Sequence, residues 1–227
     1  MMHPALRETL STALTLLVIS VLGAAMLSGA YTLTRPTIER SEQIEKLALV
    51  AQTLPSGSFD NDLIAEAITL PATPQLGLKR PGSAYIARKQ GVANAVVLEA
   101  VAPDGYTGEI RLLIGIQADG QISGVRVTSH LETPGLGDYI DIARSPWINQ
   151  FDTKSLTKPV DSAWKVRKDG GEFDYLAGAT VTPRAVIKAV NRALHYFAAN
   201  QAKLLVPLAT EPSASPSTPK SATGKSS

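Results

Sequence analysis

The chain contains no cysteine and only three histidines among its 227 residues. Without cysteine it can form no disulfide, no thiolate metal site and no Cys-ligated iron–sulfur cluster, and it has no cysteine nucleophile. His3, His130 and His195 lie too far apart in the sequence to form a metal-ligand motif. Redox chemistry in this chain would therefore need an organic cofactor or a metal held by a partner.

The sequence also lacks a charge excess and a recognisable hydrolase motif. Its 22 basic and 20 acidic residues give a net charge of +2, and no basic run is interleaved with aromatic residues, so no nucleic-acid partner is predicted. The Gly-x-Ser-x-Gly pattern of a nucleophile elbow does not occur, and His130 has no marked acidic partner. A hydrolase is therefore the least favoured function.

Charge is absent from residues 9–34, and most of this stretch is apolar. Crossing about 30 Å of hydrocarbon takes about 20 helical residues, so we predict a transmembrane helix over 9–34, preceded by a tail over 1–8. The alternative is a cleaved signal peptide with Ser28, Gly29 and Ala30 as its cleavage site. The long apolar run and the thin basic flank favour a retained anchor. Positive charges nearly balance across the span, so the short N-terminal tail is what favours an inside N-terminus.

Residues 35–82 are predicted to form a helical stalk and a linker. Ile38, Ile44, Leu47 and Val50 make an apolar stripe at helical spacing. A further short helix is predicted over 60–68, and prolines and glycines mark a loop over 71–81. At the other end, residues 203–227 are rich in serine and proline, which predicts a disordered tail.

Residues 83–202 are predicted to form a single α+β domain, an antiparallel sheet with flanking helices. Strand patterns occur at 83–89, 95–101, 110–117 and 122–128, separated by Asp-Gly turns at Asp104 and Asp119. An irregular loop follows over 130–138 and a short helix over 145–151. The segments 164–167 and 173–176 are predicted to pair as a hairpin. The last helix is predicted to begin at a capping Thr182, with Pro183 in its first position, and to end near Asn200.

The hairpin leads to Thr180, directly before this helix. Gly178 permits a positive φ or a close approach to a ligand, and Ala179 is small. A phosphate on the Thr180 oxygen would lie near the unpaired N–H groups of a helix N-terminus, which favour an anion. The alternative is purely structural: Gly178 closes a turn, Thr180 and Thr182 both help to cap the helix, and Asp174 is solvated. On the residues alone, this structural alternative is favoured.

Asp174, Gly178, Ala179 and Thr180 resemble the flavinylation motif of the FMN-binding domain family. The chain departs from that motif at Ala177, where serine or threonine is usual. In that family a flavin transferase moves FMN from FAD onto the last threonine of the motif and forms a phosphodiester. The resemblance therefore implies covalent FMN on Thr180 and not on Thr182.

The order of elements extends the resemblance to the G subunits of the Rnf-type electron transport complexes. That order comprises the apolar span, the loop 132–137, the turn 169–171 and the last helix. The resemblance implies an electron-relay protein that is not catalytic alone, in a complex coupling ferredoxin–NAD electron transfer to ion movement. It implies a single-pass protein of the bacterial inner membrane with a periplasmic domain. The implied partners are the other membrane and redox subunits of the complex and a flavin transferase.

The same resemblance implies further flavin contacts. Glu132, Thr133 and Leu136 are implied to line the flavin site, Leu176 to touch the isoalloxazine ring, and Lys165 to contact the phosphate. A solvated strand face is the alternative for Lys165. Two other functions remain open for the chain: a flavin carrier similar to the C subunit of the Na⁺-translocating NADH:quinone reductase, and a membrane-anchored interaction or sensor domain with unmodified Thr180.

Overall fold

The computed structural model describes residues 4–206; residues 1–3 of the predicted N-terminal tail and 207–227 of the predicted C-terminal tail lie outside the described residues. Five strands form one antiparallel sheet in the order β1-β2-β3-β4-β5. The helices and strands are α1 Pro4–Ala51, β1 Ile68–Leu70, β2 Gly82–Lys89, β3 Val92–Ala102, β4 Ile110–Gln117, β5 Ile122–Ser129 and α2 Val181–Leu204. An antiparallel sheet with flanking helices is confirmed.

The larger of two hydrophobic cores lies between one face of the sheet and α2. Alternate strand residues point to this face, among them Ile86, Leu98 and Ile114, because the side-chain period of a strand is two. Helix α2 contributes side chains at helical spacing, including Val190 and Leu194. Three 3-10 turns contribute buried side chains to this core, at Pro74–Leu76, Asp138–Ile140 and Pro146–Phe151. Two more, at Asp161–Ala163 and Arg167–Asp169, have no buried residue.

The intervening strand residues form a second core on the opposite face. Tyr85, Val97 and Leu113 pack there with Val50 from the end of α1 and with Leu63 from the segment after it. The sheet is therefore covered on both faces, by α2 on one side and by the end of α1 on the other.

A pair of glycines lets the chain that leaves α1 lie directly on the sheet. Gly115 and Gly124 are opposite each other in β4 and β5. A Cβ atom at Gly115 would lie 2.4 Å from the Thr53 carbonyl oxygen, and one at Gly124 would lie 3.1 Å from it. Thr53 is fully buried, and its carbonyl accepts a hydrogen bond of 2.6 Å from Ser123 Oγ. We call this contact the glycine notch.

A second contact joins α1 to the sheet through Glu99 of β3. Lys46 Nζ lies 2.8 Å from Glu99 Oε1, which also accepts from the Tyr85 hydroxyl at 2.8 Å. The Ser83 amide donates to Glu99 Oε2 at 2.9 Å. Burial acts to raise the pKa of Glu99, but these donors outweigh it, and the pKa is lowered. The last turns of α1 are thereby joined to β2 and β3 by an ionised carboxylate.

Among the described residues, no helix combines the length and the sustained apolarity needed to cross a membrane.

The predicted helix over 60–68 is wrong. Residues 63–66 form a turn, and Ile68 begins β1, which pairs with β2. The Asp62 carboxylate accepts hydrogen bonds of 3.0 Å from the amides of Ile64 and Ala65. These are the hydrogen bonds of a helix N-cap, and the Glu66 amide donates to the Asp62 carbonyl at 3.1 Å, so one helical turn forms. The helix goes no further, because Ile68 pairs with Ala84 of β2. The sheet consequently takes its first strand from the segment that the sequence analysis assigned to the linker.

Replacing Gly115 with alanine is expected to lower the free energy of unfolding by about 1–3 kcal/mol, because its methyl group would overlap the Thr53 carbonyl. Gly124→Ala should cost less, since the nearest atoms there lie at 3.1 Å. Urea unfolding of the full chain, followed by the fluorescence of the two tryptophans, measures both. Ser123→Ala is the control, because it removes one hydrogen bond to Thr53 without filling the notch. A Gly115→Ala protein as stable as the wild type would contradict the close contact.

Candidate functional site

The chain that leads into α2 is irregular, and the predicted hairpin of 164–167 with 173–176 is wrong. Val166 and Phe173 make one isolated bridge, and it is parallel. The turn between them is very tight: Gly170 has a φ of 80°, and a Cβ at Gly171 would overlap the Lys165 backbone. No further strand pairing extends from this bridge. Residues 174–180 lie instead against the 3-10 turns Asp138–Ile140 and Pro146–Phe151, to which they are hydrogen-bonded.

Aromatic side chains hold this crossing segment in place. Trp147 Nε1 donates a hydrogen bond of 2.7 Å to the Asp174 carbonyl. The Tyr139 hydroxyl accepts from the Leu176 amide at 3.3 Å and donates to the Ala179 carbonyl at 3.2 Å. The Tyr139 and Trp147 rings meet edge to face, with centroids 5.5 Å apart. The backbone before Thr180 is thus fixed by side chains that come much earlier in the chain.

Helix α2 begins one residue after Thr180, so the prediction that Thr182 caps it is wrong. Thr180 occupies the cap position, and its side chain makes no capping hydrogen bond. Thr182 lies in the first turn with its side chain buried, because its hydroxyl is used elsewhere. Pro183 is in the first turn, where a missing N–H costs no intrahelical bond. The helix continues to Leu204, past the predicted end at Asn200.

An open concavity of about 140 Å³ lies beside the start of α2. It brings together six residues that the sequence analysis selected: Glu132, Thr133, Leu136, Gly178, Ala179 and Thr180. Its other lining residues were not predicted: Tyr106, Gly137, Val181 and Thr182. Gly178 has a φ of 91°, a backbone conformation that side-chain-bearing residues rarely adopt. We refer to this concavity as the Thr180 pocket.

The floor of the Thr180 pocket is built around the Glu132 carboxylate, which is only 4% exposed. The Thr182 hydroxyl donates to Glu132 Oε2 at 2.5 Å, and the Thr107 amide donates to Oε1 at 3.2 Å. A Cβ at Gly137 would lie 2.6 Å from Oε2, and one at Gly105 would lie 2.8 Å from Oε1. Glu132 therefore joins three segments: the loop after β5, the turn between β3 and β4, and the start of α2.

The rim of the Thr180 pocket is apolar and exposed. Tyr106 is 70% exposed, Leu136 49% and Val181 42%. Leu176 is exposed as well, but it does not line the pocket. Tyr106 could have been suspected from the sequence, because it directly follows a turn dipeptide at an exposed position.

Two predicted site residues lie outside the Thr180 pocket. The Asp174 carboxylate is exposed and pairs with Arg167, with Oδ1 2.7 Å from Nε. Lys165 lines a neighbouring concavity together with Asp169 and Arg184. The proposed contacts of Asp174 and Lys165 with a cofactor remain predictions.

Arg184 connects that neighbouring concavity to Thr180. Its Nη1 lies 3.5 Å from Thr180 Oγ1. Its Nε and Nη2 donate to the two carboxylate oxygens of Asp169, at 2.6 and 2.8 Å. This hydrogen-bonded pair lowers the pKa of Asp169 and raises that of Arg184, so both are charged at neutral pH. Arg184 was not among the predicted site residues, although it lies one helical turn after Thr180.

Comparisons with known proteins find one matching family profile and several similar proteins. The profile of the FMN-binding domain family matches residues 105–195. The chain is 47% identical over 201 residues to the G subunit of the ion-translocating oxidoreductase complex of Pseudomonas aeruginosa, covering 88% of this chain and 94% of that protein. It is 43% identical over 191 residues to the G subunit of the same complex in Vibrio cholerae, covering 84% and 91%. A crystal structure of Shewanella oneidensis NqrC is 23% identical with a TM-score of 0.45, covering 64% of this chain and 74% of that one.

The two threonines at the start of α2 are expected to differ sharply in their effect on stability. Thr182→Val leaves the buried Glu132 carboxylate without its hydroxyl donor and should cost about 1–3 kcal/mol. Thr180→Val removes only a long contact at a half-buried position and should cost under about 0.5 kcal/mol. Chemical unfolding of unlabelled protein compares the two variants directly. Equal losses of stability would contradict the assignment of Thr182 to the floor of the pocket.

Proposed function

The chain belongs to the family of G subunits of ion-translocating oxidoreductase complexes, and we propose that it carries FMN covalently on Thr180 as an electron relay within such a complex. The similarity to these G subunits spans nearly the whole of the relatives and includes an FMN-binding domain. It favours this family over the flavin-carrying C subunits of NADH:quinone reductases. The covalent bond, its position and the membrane topology are the parts that we propose.

The observation that carries the proposal is the state of the Thr180 hydroxyl. Thr180 lies at an open pocket, and its side chain makes no capping hydrogen bond. Thr182 is the other hydroxyl at the start of α2, and it is buried and donates to Glu132. Modification of Thr182 would remove a donor from the floor of the pocket. Modification of Thr180 would leave the packing of the domain intact.

The proposed linkage is a phosphoryl transfer and involves no change of oxidation state. The Thr180 oxygen attacks the phosphorus on the FMN half of FAD, and an Oγ–P bond forms. The pyrophosphate P–O bond breaks, AMP leaves with its electron pair, and the hydroxyl proton passes to a base. A flavin transferase is proposed to catalyse this step, because the described part of the Thr180 pocket holds Glu132 as its only carboxylate, already engaged by its donors.

The residues around Thr180 fit an FMN group. Exposed apolar side chains at Tyr106, Leu136 and Val181 offer a surface for the isoalloxazine ring, and Leu176 is exposed nearby in the motif. The pocket, at about 140 Å³, is smaller than the roughly 300–1,000 Å³ of sites that enclose a whole ligand. The described pocket would therefore hold only part of the group. A bound flavin supplies the ability to accept and pass on electrons singly.

The departure from the usual motif at Ala177 is compatible with this proposal. Ala177 is exposed, so a missing hydroxyl at this position leaves no buried polar group without a partner. We expect the acceptor chemistry to depend on Thr180 and on the backbone that Gly178 and Tyr139 shape. Lys165 is proposed to lie near the phosphate, as part of the adjoining positive surface.

We further propose that the N-terminal part of α1 anchors the protein in the bacterial inner membrane, with the domain on the periplasmic side. Residues 9–34 contain no charged side chain. Large apolar side chains between Leu14 and Leu27 are exposed in the structure, including Leu16, Val18 and Leu22. Apolar side chains exposed on successive positions of this stretch indicate a nonaqueous surrounding. The other membrane and redox subunits of the complex are the proposed neighbours.

Covalent flavin is expected on the wild-type protein after expression together with a flavin transferase. Intact mass should increase by one FMN group with loss of water, and the denatured band should fluoresce. Thr180→Val should abolish both signals, because it lacks the acceptor hydroxyl, whereas Thr180→Ser should keep them. A wild-type protein that stays unmodified under these conditions would overturn the proposal and favour a sensor or interaction domain.

The same labelling assay separates the two roles open to Asp174. If the transferase recognises its exposed carboxylate, Asp174→Asn should slow labelling, while Arg167→Gln should not. If Asp174 acts only through its ion pair with Arg167, the two substitutions should have equal effects. If Asp174→Asn labels at the wild-type rate, this carboxylate is not needed for modification.

The anchor proposal predicts that the full chain stays in the membrane fraction after washing at high salt and high pH. Intact mass should include residues 1–34, and protease added outside spheroplasts should digest the domain. Release by the wash, or a mass that lacks the residues up to the Ser28–Ala30 site, would contradict a retained anchor. Protection of the domain from external protease would contradict the periplasmic orientation.

A further inference from the structure

We propose that Arg184, held by Asp169, orients the Thr180 hydroxyl before flavin transfer and binds the phosphodiester afterwards. This inference rests on the proposed covalent flavin at Thr180 and assigns a positioning residue to that site. It is carried by the contact of Arg184 with the Thr180 oxygen and by its paired hydrogen bonds to Asp169.

The N–H donors of the Arg184 guanidinium face two partners, Asp169 and Thr180. Nε and Nη2 point to the Asp169 carboxylate in a two-pronged contact, which fixes the plane of the group. Nη1 remains on the side of Thr180 Oγ1, at 3.5 Å. A guanidinium held in this way retains donors that a phosphate can accept from without breaking the pair with Asp169.

The position of Asp169 is itself fixed by the fold. It ends the 3-10 turn Arg167–Asp169, and Gly170 then adopts a φ of 80°. Gly171 passes so close to the Lys165 backbone that no Cβ would fit. This gives the Asp-Gly-Gly sequence a physical role, because it presents a carboxylate to Arg184 from a turn that has little freedom to move.

The charge around Arg184 suits one additional anion. Lys165 and Lys188 line the same concavity as Arg184 and Asp169. Lys188 pairs with Asp104, with Nζ 2.9 Å from Oδ2, whereas the structure gives Lys165 no ion pair among the described residues. Among the residues that line this concavity, Arg184 and Lys165 therefore exceed Asp169 by one positive charge, and Lys168 adds a further positive charge near Asp169. A phosphodiester carries one negative charge.

Arg184 acts at both stages of the proposed reaction. Before transfer, donation from Nη1 to the Thr180 oxygen directs the hydroxyl proton away from the guanidinium and towards the open pocket, where a base can remove it. During transfer the Oγ–P bond forms and AMP leaves. Afterwards, Nη1 is placed to donate to an oxygen of the linked phosphate. Lys165 reaches the same surface but has no such contact with Thr180.

The test measures the labelling rate with purified transferase and FAD, using intact mass at timed intervals. Arg184→Gln should slow labelling about tenfold, because it removes the charged donor that faces the Thr180 oxygen. Arg184→Lys should lie between wild type and Arg184→Gln, because it keeps the charge but cannot make the two-pronged contact. Asp169→Asn should give a smaller loss, since the guanidinium remains but is no longer held.

A second readout separates positioning from simple stability. Linked FMN should raise the melting temperature of the wild type at low salt, and this shift should vanish in Arg184→Gln. Arg111→Gln is the matched control, because Arg111 is an exposed arginine paired with Glu109 outside the Thr180 pocket. It should label at the wild-type rate and keep the shift.

The outcomes distinguish this inference from the proposed function. Failure of the wild type to label overturns the covalent flavin itself. Wild-type labelling with unchanged rate and shift in Arg184→Gln overturns the role of Arg184 alone. If Arg184→Gln does not fold, Asp169→Asn decides: a wild-type rate and a full melting shift in that variant overturn the inference.

Discussion

The candidate site depends on one buried carboxylate. Glu132 is removed from water, which is costly for a charged group unless it is hydrogen-bonded. Its donors come from the turn between β3 and β4 and from the first turn of α2. Gly105 and Gly137 approach so closely that a Cβ atom would collide with the carboxylate oxygens. The loop after β5 therefore needs a glycine at position 137, because a side chain there would collide with Glu132. The hydrogen bond from Thr182 to the same carboxylate positions the start of α2.

On the opposite face of the sheet, the end of α1 is attached to the strands. The glycine notch at Gly115 and Gly124 and the ion pair of Lys46 with Glu99 join the end of α1 to the strands. The same strands carry the first core, on which α2 packs. Helix α1 and Thr180 are thus attached to the two faces of one sheet. If the N-terminal part of α1 is the anchor, this arrangement holds Thr180 at a set distance and direction from the membrane.

Strands and turns were predictable because their signals are local. The alternation through β4 and the Asp-Gly turns follow from the period of a strand and from turn chemistry. The start of α2 was not predictable, because Thr180 and Thr182 are equal candidates for its cap in the sequence. Only the fold brings Glu132, 50 residues before Thr182, to accept the Thr182 hydroxyl. The hairpin failed for a related reason, since its tight turn depends on the contact between Gly171 and Lys165. Arg184 was missed because its partner Asp169 is brought near only by folding.

If Thr180 is the acceptor, the side chain that is modified and the side chain that stabilises the fold are two different threonines. A side chain that is modified after folding cannot also be a hydrogen-bond donor on which the core depends, because the modification would remove that bond. Thr182 holds the buried carboxylate, while Thr180 contributes no capping bond and touches only the edge of the Arg184 guanidinium. Since the guanidinium is already fixed by Asp169, an anion on Thr180 would meet an arranged donor and would not have to order one. The negative charge of the proposed phosphodiester would thus meet a donor that the fold has already positioned.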